Sequence, residues 1–451
     1  MNKRALTLFL GDFCLAVFAA CSGEFLGLGP ALANGRAALD WEQAALFIAA
    51  TVTASYLSEF YSTEKRADKK TVFIKTLITL VVSLSVLGGL YLVARPLVAP
   101  WRVCAVSVAL FVVLQFFWHL SFGALLQISM FEKKILVVGT GKLANKIGDI
   151  IKNGPKGQVL KGYYKCSDEP VHVPPEAIVK NGDGLQAVVR REKAHKIVIS
   201  VTDRRGTLPV DDILQCKFGG IEVVDAPSFY EEKTGKLLIE NLRPSWFIFS
   251  DGFRLTPAFK FFKRVFDVLF AASGLILSAL LMPAIALAIK FDSRGPVFFR
   301  QVRAGEKEEP FTIYKFRTMR TDAEKNGAVW ASEKDPRVTR SGRFLRKSRL
   351  DEIPQLFNVL KGDMSFVGPR PERPEFVNEL KRAIPYYSER HFVRPGLTGW
   401  AQVRFPYGAS IEDAIEKLRY DLYYIKNMSL FLDVYIVLET VKVILLKRGS
   451  R

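Results

Sequence analysis

The sequence is poor in the residues that build metal–thiolate and disulfide frameworks. Five cysteines occur in 451 residues, with no CxxC pair and no zinc-ligand spacing. Cys14, Cys21 and Cys104 fall in apolar stretches, while Cys166 and Cys216 stand alone. That pattern fits a reducing compartment and argues against a disulfide scaffold. Only four histidines are present, none in an HExxH or similar cluster, so no histidine-ligated metal centre is expected. Low-complexity tracts and internal repeats are missing, which argues against a repeat architecture or a disordered chain. Acidic charge is in deficit as well: 45 Asp and Glu face 64 Lys and Arg, a formal net charge of +19.

That positive excess is uneven, at +3 for 1–130, +4 for 131–250 and +12 for 251–451. A basic C-terminal part suits nucleic acid, anionic lipid or phosphorylated small molecules. Nucleic acid is the weakest of these and is not expected as a partner. The basic residues are interleaved with membrane-type segments, not with aromatic stacking platforms. Hydrophobic residues make up 49% of a chain that is also 24% charged, which points to membrane segments joined to polar domains. The length allows two or three domains.

Four apolar stretches, at about 5–28, 42–61, 72–94 and 103–130, are long enough to span a bilayer. The first is not a signal peptide, because it is long, contains Asp12 and Glu24, and precedes further spans. Lys3 and Arg4 precede it, Lys65, Arg66, Lys69 and Lys70 join the second stretch to the third, and Lys133 and Lys134 follow the fourth. The other two loops carry only Arg36 with Asp40, and Arg95 with Arg102. Residues 1–130 therefore read as a four-helix transmembrane bundle with both ends in the cytoplasm.

KKILVVGTGKLANKIGDIIK (133–152) joins a β-branched run to Gly139-x-Gly141-x-x-Ala144 and an amphipathic helix. This is the context of a Rossmann-like first unit. Apolar runs at 159–164, 196–201 and 221–226 extend the alternation, so 131–250 reads as a Rossmann-like α/β domain. Ala144 replaces the third glycine, and the acidic candidates Asp168 and Glu169 come late, so a regulatory or structural role is expected ahead of NAD(P) catalysis. A Tyr-x-x-x-Lys pair at Tyr61–Lys65 precedes the domain in a membrane loop and reads as chance. The alternative function, a membrane-tethered nucleotide-sugar oxidoreductase or dehydratase, thus lacks both its loop and its Tyr/Lys pair.

After a linker near 254–259, Val265–Ile289 is again long enough to span. Lys263 and Arg264 before it and Lys290 and Arg294 after it both prefer the cytoplasmic face. A helix interrupted at Pro283 that enters and leaves by one face satisfies both flanks. A re-entrant helix is therefore expected at about 259–290, anchored by Lys263, Arg264, Asp267 and Pro283, with Asp267 pairing to Lys263 and Arg264 at the membrane interface. The final segment, 428–451, has an apolar stripe broken by Asp433, Glu439 and Lys442, so it is expected to pack on the domain or lie in the interface, not to span.

The densest chemistry lies at 340–376. Asp351 and Glu352 sit among Arg343, Arg346, Lys347, Arg349, Arg370 and Arg373, and every third residue from Lys334 to Arg349 is basic. Nearby cations favour the charged form of a carboxylate, so both acids are expected to be strongly ionised. They suit a nucleophile or a ligand for a hard cation such as magnesium better than a general acid. Pro354 and Gly362 bracket a short helix with the acids at its N-terminus, a place that favours phosphate.

The run LDEIPQLFNVLKGDMSFVGPRPE resembles the signature of the bacterial sugar transferase family, the monotopic phosphoglycosyl transferases. So do KRVFD (263–267), GPVFFRQVRAG (295–305), YKFRTM (314–319), DPRVTRSGRFLR (335–346) and RPGLTGWAQV (394–403), in the family's order and over roughly 260–448. The resemblance implies a mainly α catalytic domain over 251–451 with a re-entrant membrane helix. It also implies transfer of a sugar phosphate from a UDP-sugar to polyprenyl (undecaprenyl) phosphate, at the cytoplasmic face of a bacterial inner membrane. The family's dyad falls on Asp351, as nucleophile, and Glu352, as magnesium ligand beside Asp351. Its Pro-Arg-Pro block falls on Pro369, Arg370 and Pro371, with Arg370 gripping phosphate oxygens. Lys315, Arg317 and Arg300 are further phosphate contacts on this reading. Arg404 departs from the smaller polar residue often found at its place and is expected to touch sugar choice, for which a hexose without an acetamido group is favoured. Membrane lipids are implied partners, and a homodimer stays open. All the motif blocks lie beyond Pro257, so a chain beginning there is expected to retain transfer.

Overall fold

Apolar residues with little periodic polarity form the first four helices, α1 (Lys3–Gly27), α2 (Trp41–Leu57), α3 (Lys69–Val93) and α4 (Trp101–Leu125). The computed structural model describes residues 3–27, 41–58, 60–61, 69–93, 98–125, 132–154, 157–166, 169–179, 184–201, 208–241, 247, 250, 252–253, 255–323, 335–405, 408 and 410–445. Asp168, Lys65, Arg66, Arg36, Arg95 and Lys334 lie outside them. The chain divides into two units, Met1–Ala226 and Pro227–Arg451.

In the first unit, α1, α3 and α4 are each long and apolar enough to cross a membrane, over Leu6–Gly23, Thr71–Leu92 and Trp101–Phe122. Helix α2 has 17 residues. At 1.5 Å per residue it reaches about 25 Å, at the low end for crossing a hydrocarbon core of about 30 Å. Four stretches were expected to span; among the described residues three helices meet the length and apolarity required.

Inside these helices Asp12 is fully buried. An isolated carboxylate there would be costly, and its partners come from three directions. The Tyr61 hydroxyl donates to Asp12 Oδ2 at 2.8 Å, Gln115 Nε2 donates to the same atom at 2.7 Å, and His119 Nε2 lies 3.1 Å from Oδ1. Gln115 also donates to Ser55 Oγ at 2.8 Å. The polar cluster thus joins α1 to α4 and to the C-terminal end of α2, and it gives Tyr61 a structural partner. Ala16, Ala19 and Ala20 are buried among Phe111 and Val108 of α4, the small-residue packing that lets helices approach closely.

The same unit contains a four-stranded sheet of β1 (Lys133–Val138), β2 (Gln158–Tyr164), β3 (Lys196–Ile199) and β4 (Glu222–Asp225), in the order β2-β1-β3-β4. Every neighbouring pair is parallel. Ile135, Leu136, Val137 and Val138 are all fully buried, as a central parallel strand covered on both faces requires. Helices α5 (Lys142–Asn153), α6 (Gly184–Glu192) and α7 (Val210–Phe218) make the crossovers.

Helix α8 (Ala226–Thr234) follows β4 directly, and all of it after Ala226 belongs to the second unit. Residues 227–241 pack here, with Leu237 and Ile239 buried in the core, although the sequence assigns them to the preceding domain. Two helices follow, α9 (Pro257–Ser278) and α10 (Leu281–Asp292), bent by 62° at the break between them. Thr256 caps α9 by accepting from Phe259 N at 3.2 Å, and Pro257 takes the first helical position. Pro283 falls in the first turn of α10, where its missing N–H breaks no helical bond.

An antiparallel hairpin of β5 (Phe298–Ala304) and β6 (Pro310–Phe316) leads to α11 (Arg340–Ser348) and α12 (Gln355–Lys361). A parallel pair, β7 (Ser365–Val367) with β8 (Gly396–Thr398), brackets α13 (Pro374–Ala383). The chain closes with α14 (Trp400–Arg404), α15 (Ile411–Lys426) and α16 (Leu430–Leu445). Ile436, Asp433 and Lys442 of α16 are buried, so this last apolar segment packs on its own unit.

Candidate active site

Asp351 and Glu352 lie in a short 3-10 turn, Leu350–Glu352, between α11 and α12. Arg349 caps α11 in the left-handed conformation at φ 58°, which turns the chain sharply into the acids. Helix α12 starts after them and is only seven residues long, so the acids are presented by the turn and not by a helix N-terminus. Asn358 of α12 is fully buried and clips the helix to β6: its Oδ1 accepts from Tyr314 N at 3.1 Å and its Nδ2 donates to Thr312 O at 2.7 Å. At the other end Gly362 takes φ 98°, and Arg264 donates to Val359 O and Leu360 O, both at 2.6 Å. These ties bring Lys315, next along β6, to Glu352.

Three cations converge on Glu352 Oε1: Arg370 Nη2 at 2.8 Å, Lys315 Nζ at 3.2 Å and Arg349 Nη1 at 4.0 Å. Both acids are buried and line a cavity of about 900 Å³ with Arg343, Arg346, Arg349 and Arg370. The two carboxylates differ electrostatically. Burial opposes the charge on Glu352, but Arg370, Lys315 and Arg349 outweigh it and hold its carboxyl well below the usual range. Burial raises the Asp351 carboxyl to about 6, and the neighbouring Glu352 charge adds to the rise. Strong ionisation was expected of both. The cations make their ion pairs with Glu352; Lys315, Arg346 and Arg349 also act on Asp351 but do not offset its burial, so it remains a carboxylate of raised basicity.

Arg370 owes its place to its backbone. Prolines 369 and 371 are buried and donate no N–H, and the carbonyls of four consecutive residues are each held from elsewhere. Gly396 N donates to Pro369 O at 2.8 Å, and Ala304 N to Glu372 O at 2.9 Å. Arg390 Nη2 donates to Arg370 O at 3.0 Å, and Arg303 Nη1 to Pro371 O at 3.1 Å. Arg390 is in turn paired with buried Asp421 at 2.8 Å. Sequence reasoning missed both arginines. Arg303 stands inside a recognisable block, whereas Arg390 carries no local signal, since its contact is made across the fold.

Other expected site residues have different roles. Arg317 is buried and lines the cavity, and it also caps α10 by giving its guanidinium to Ser293 O and Arg294 O, both at 2.7 Å. Arg300 is exposed, with its guanidinium 5.6 Å from the Tyr314 ring centre, and is not among the cavity-lining residues. Arg404 stacks 4.5 Å over Trp400 and is not among the cavity-lining residues. Lys263 and Asp267 are buried and paired at 3.1 Å; Lys263 also reaches Asp433 at 3.0 Å, and Asp267 accepts from Phe366 N at 2.9 Å. They tie α9 to β7 and α16 inside the unit; the Lys263–Asp267 pair is the one expected from sequence, while Arg264 turns to the carbonyls of α12 instead.

The glycine turn of the parallel sheet is occupied by the protein itself. Thr140 N and Gly141 N donate to Glu169 Oε1 at 2.9 and 3.1 Å, so a carboxylate already sits where a diphosphate would bind.

A family model described as bacterial sugar transferase matches residues 258–447, the segment that contains the acids and their cations. The chain is 45% identical over 239 residues to a UDP-N-acetylgalactosamine-undecaprenyl-phosphate N-acetylgalactosaminephosphotransferase of Aeromonas hydrophila, covering 53% of this chain and 56% of the relative. It is 46% identical over 188 residues to an undecaprenyl-phosphate glucose phosphotransferase of Komagataeibacter xylinus, covering 40% of this chain and 35% of the relative. It is also 46% identical over 181 residues to a UDP-glucose:undecaprenyl-phosphate glucose-1-phosphate transferase of Caulobacter vibrioides, covering 40% of this chain and 68% of the relative. The chain belongs to the bacterial sugar transferase family. It spans about half or less of the length of the first two of these relatives.

Proposed function

We propose that the chain transfers a sugar 1-phosphate from a UDP-sugar to polyprenyl phosphate in two displacements at a membrane surface. The observation that carries the reading is the divided dyad: two adjacent buried acids at one cavity, one neutralised by three cations and the other left more basic. An Asp351 oxygen attacks the sugar-bearing phosphorus of the UDP-sugar. The bond to the bridging oxygen breaks, and UMP leaves with the electron pair. The phosphosugar is then an acyl phosphate on Asp351. A phosphate oxygen of the polyprenyl acceptor attacks the same phosphorus, freeing the Asp351 carboxylate and forming polyprenyl diphosphate sugar. Phosphoryl transfer depends mainly on positioning and charge neutralisation, which Arg343, Arg346, Arg349 and Arg370 supply around the cavity.

The donor set fits magnesium, which takes one or two carboxylates plus substrate phosphates and keeps several waters. All three cations meet Glu352 through Oε1, and among the described residues no larger cluster of acidic, His or Cys side chains could cage a metal. Glu352 and Asp351 would hold the ion, which would neutralise diphosphate charge.

For topology, we read α1–α4 as a four-span bundle with both ends in the cytoplasm, and the bent pair α9–α10 as re-entrant. Leu277, Leu280 and Phe291 on that pair are 80–90% exposed, an apolar surface that a bilayer would cover. The active site then faces the cytoplasm, where UDP-sugars and the head group of a bilayer-held acceptor meet. The relatives' names divide between N-acetylgalactosamine and glucose, so the sugar is settled by assay. Membranes containing the protein, polyprenyl phosphate and a panel of UDP-sugars should release UMP with one or two of them. No UMP from any member would refute the proposal.

A further inference from the structure

Helix α15 presents two opposite faces. Ala414, Lys417 and Asp421 line the cavity, as do Ala401 and Gln402 of α14. At 100° per residue, Glu416, Arg419, Tyr420, Tyr423 and Lys426 fall on the far side of α15. That far side is covered by residues 227–241, which precede the family-matched segment.

The contact is continuous and specific. Glu231 pairs with Lys426 at 2.6 Å and accepts from Asn427 Nδ2 at 3.0 Å. Lys236 pairs with Glu416, with its ammonium 5.4 Å from the Tyr420 ring centre, and Glu240 pairs with Arg419. Leu237 N donates to Arg419 O at 3.0 Å, while Leu237 and Ile239 are buried beside Leu418 and Leu422. The Trp400 indole N–H donates to Gly235 O at 2.7 Å. Gly235 takes φ +67°, and a Cβ on it would lie 3.2 Å from the Trp400 ring, so glycine permits both the turn and the approach.

We propose that residues 227–241 form a positioning strap: they hold α14 and α15 from behind and so set the cavity wall that receives the nucleotide sugar. Trp400 and Lys236 are positioning residues, since neither is part of the acid–cation cluster. The proposal rests on the function proposed above for the nature of the ligand. A chain beginning at Pro257 lacks the strap, so the transfer expected of it from sequence should come with weaker binding of the donor.

The test uses the full chain in nanodiscs. Lys236→Met keeps the aliphatic stem and loses the charge, Trp400→Phe keeps the ring and loses the N–H, and Lys236→Arg is the conservative control. Because a small displacement of a positioning wall is costly, KM for the UDP-sugar should rise roughly tenfold in the first two variants, with kcat within about twofold and Lys236→Arg close to wild type. Backbone amides of 411–421 should also exchange with deuterium roughly tenfold faster in Lys236→Met and Trp400→Phe than in wild type. The exchange readout holds whatever the ligand, so inactive wild-type protein would refute the functional reading without touching the strap. Unchanged exchange, or an unchanged KM in an active protein, would overturn the strap.

Discussion

Two turns in this molecule each gather a carboxylate, and they use it in opposite ways. At the glycine turn of the parallel sheet, Glu169 accepts from two backbone N–H groups at 2.9 and 3.1 Å and closes the site it occupies. At the turn before α12, the partners of Glu352 are side chains, Lys315, Arg349 and Arg370, and both acids line a cavity. A carboxylate fixed by backbone donors is structural support. An acid held by side-chain cations at a cavity wall, beside a second acid, can yield those cations to a phosphate. The glycine spacing advertises a ligand site that the protein has filled, while the acidic doublet, common in any sequence, marks the reactive one.

The sharpest way to break this contrast is to neutralise one acid at each turn. Asp351→Asn should lower UMP release by about three orders of magnitude or more, since the nucleophile is lost with its size retained. Glu169→Gln should leave UMP release within about twofold, because this side chain is spent on its own turn. Next in size is Arg370→Lys. An ammonium cannot reproduce the guanidinium fork between Glu352 and a phosphate, so kcat/KM should fall roughly a hundredfold. Arg300→Lys, outside the cavity, should change it by less than about twofold, and equal losses in the two would deny Arg370 its special place.

The pH dependence sharpens the difference between the two acids. The reactive form of Asp351 is the carboxylate, and its raised pKa of about 6 means that protonation removes nucleophile as the pH falls through that value. The rate of UMP release should therefore be flat above pH 7 and drop about tenfold per pH unit below 6. Glu352→Gln removes a neighbouring negative charge, so the much slower residual reaction should show its inflection at lower pH. An inflection that stayed put or moved up would mean that the Glu352 charge is not what helps raise Asp351. The smallest effect is expected at the closed turn: Glu169→Ala, which removes the acceptor, should cost about 1 kcal/mol of stability, in the range of a lost helix cap, and lower the melting temperature by a few degrees.

Much of this was legible in sequence because it is local. The basic spacing of three along α11 places Arg343, Arg346 and Arg349 together, and the Pro354–Gly362 bracket contains α12. The break near Pro283 and the parallel strands after Phe131 follow from the same short-range signals. What escaped depends on distant partners. Arg317 and Arg370 look alike in sequence and both line the cavity, yet one also caps α10 and the other pairs with Glu352, a choice made by packing across the unit. Lys263 and Asp267 have the spacing of a surface pair but are buried against Asp433, far along the chain. The 227–241 strap was hidden for the same reason, since its partners lie in α14 and α15, more than 150 residues later.

The central claim is that Asp351 attacks phosphorus and carries the phosphosugar. Wild-type protein given a UDP-sugar that it uses, with no lipid acceptor, should be quenched in acid and measured by intact mass and peptide mapping. One phosphosugar should be gained on the peptide containing Asp351, with UMP released in equal amount, and the gain should vanish in Asp351→Asn. A single displacement would leave the mass unchanged and release UMP only after polyprenyl phosphate is added; that pattern, with Asp351→Asn still active, would contradict the account.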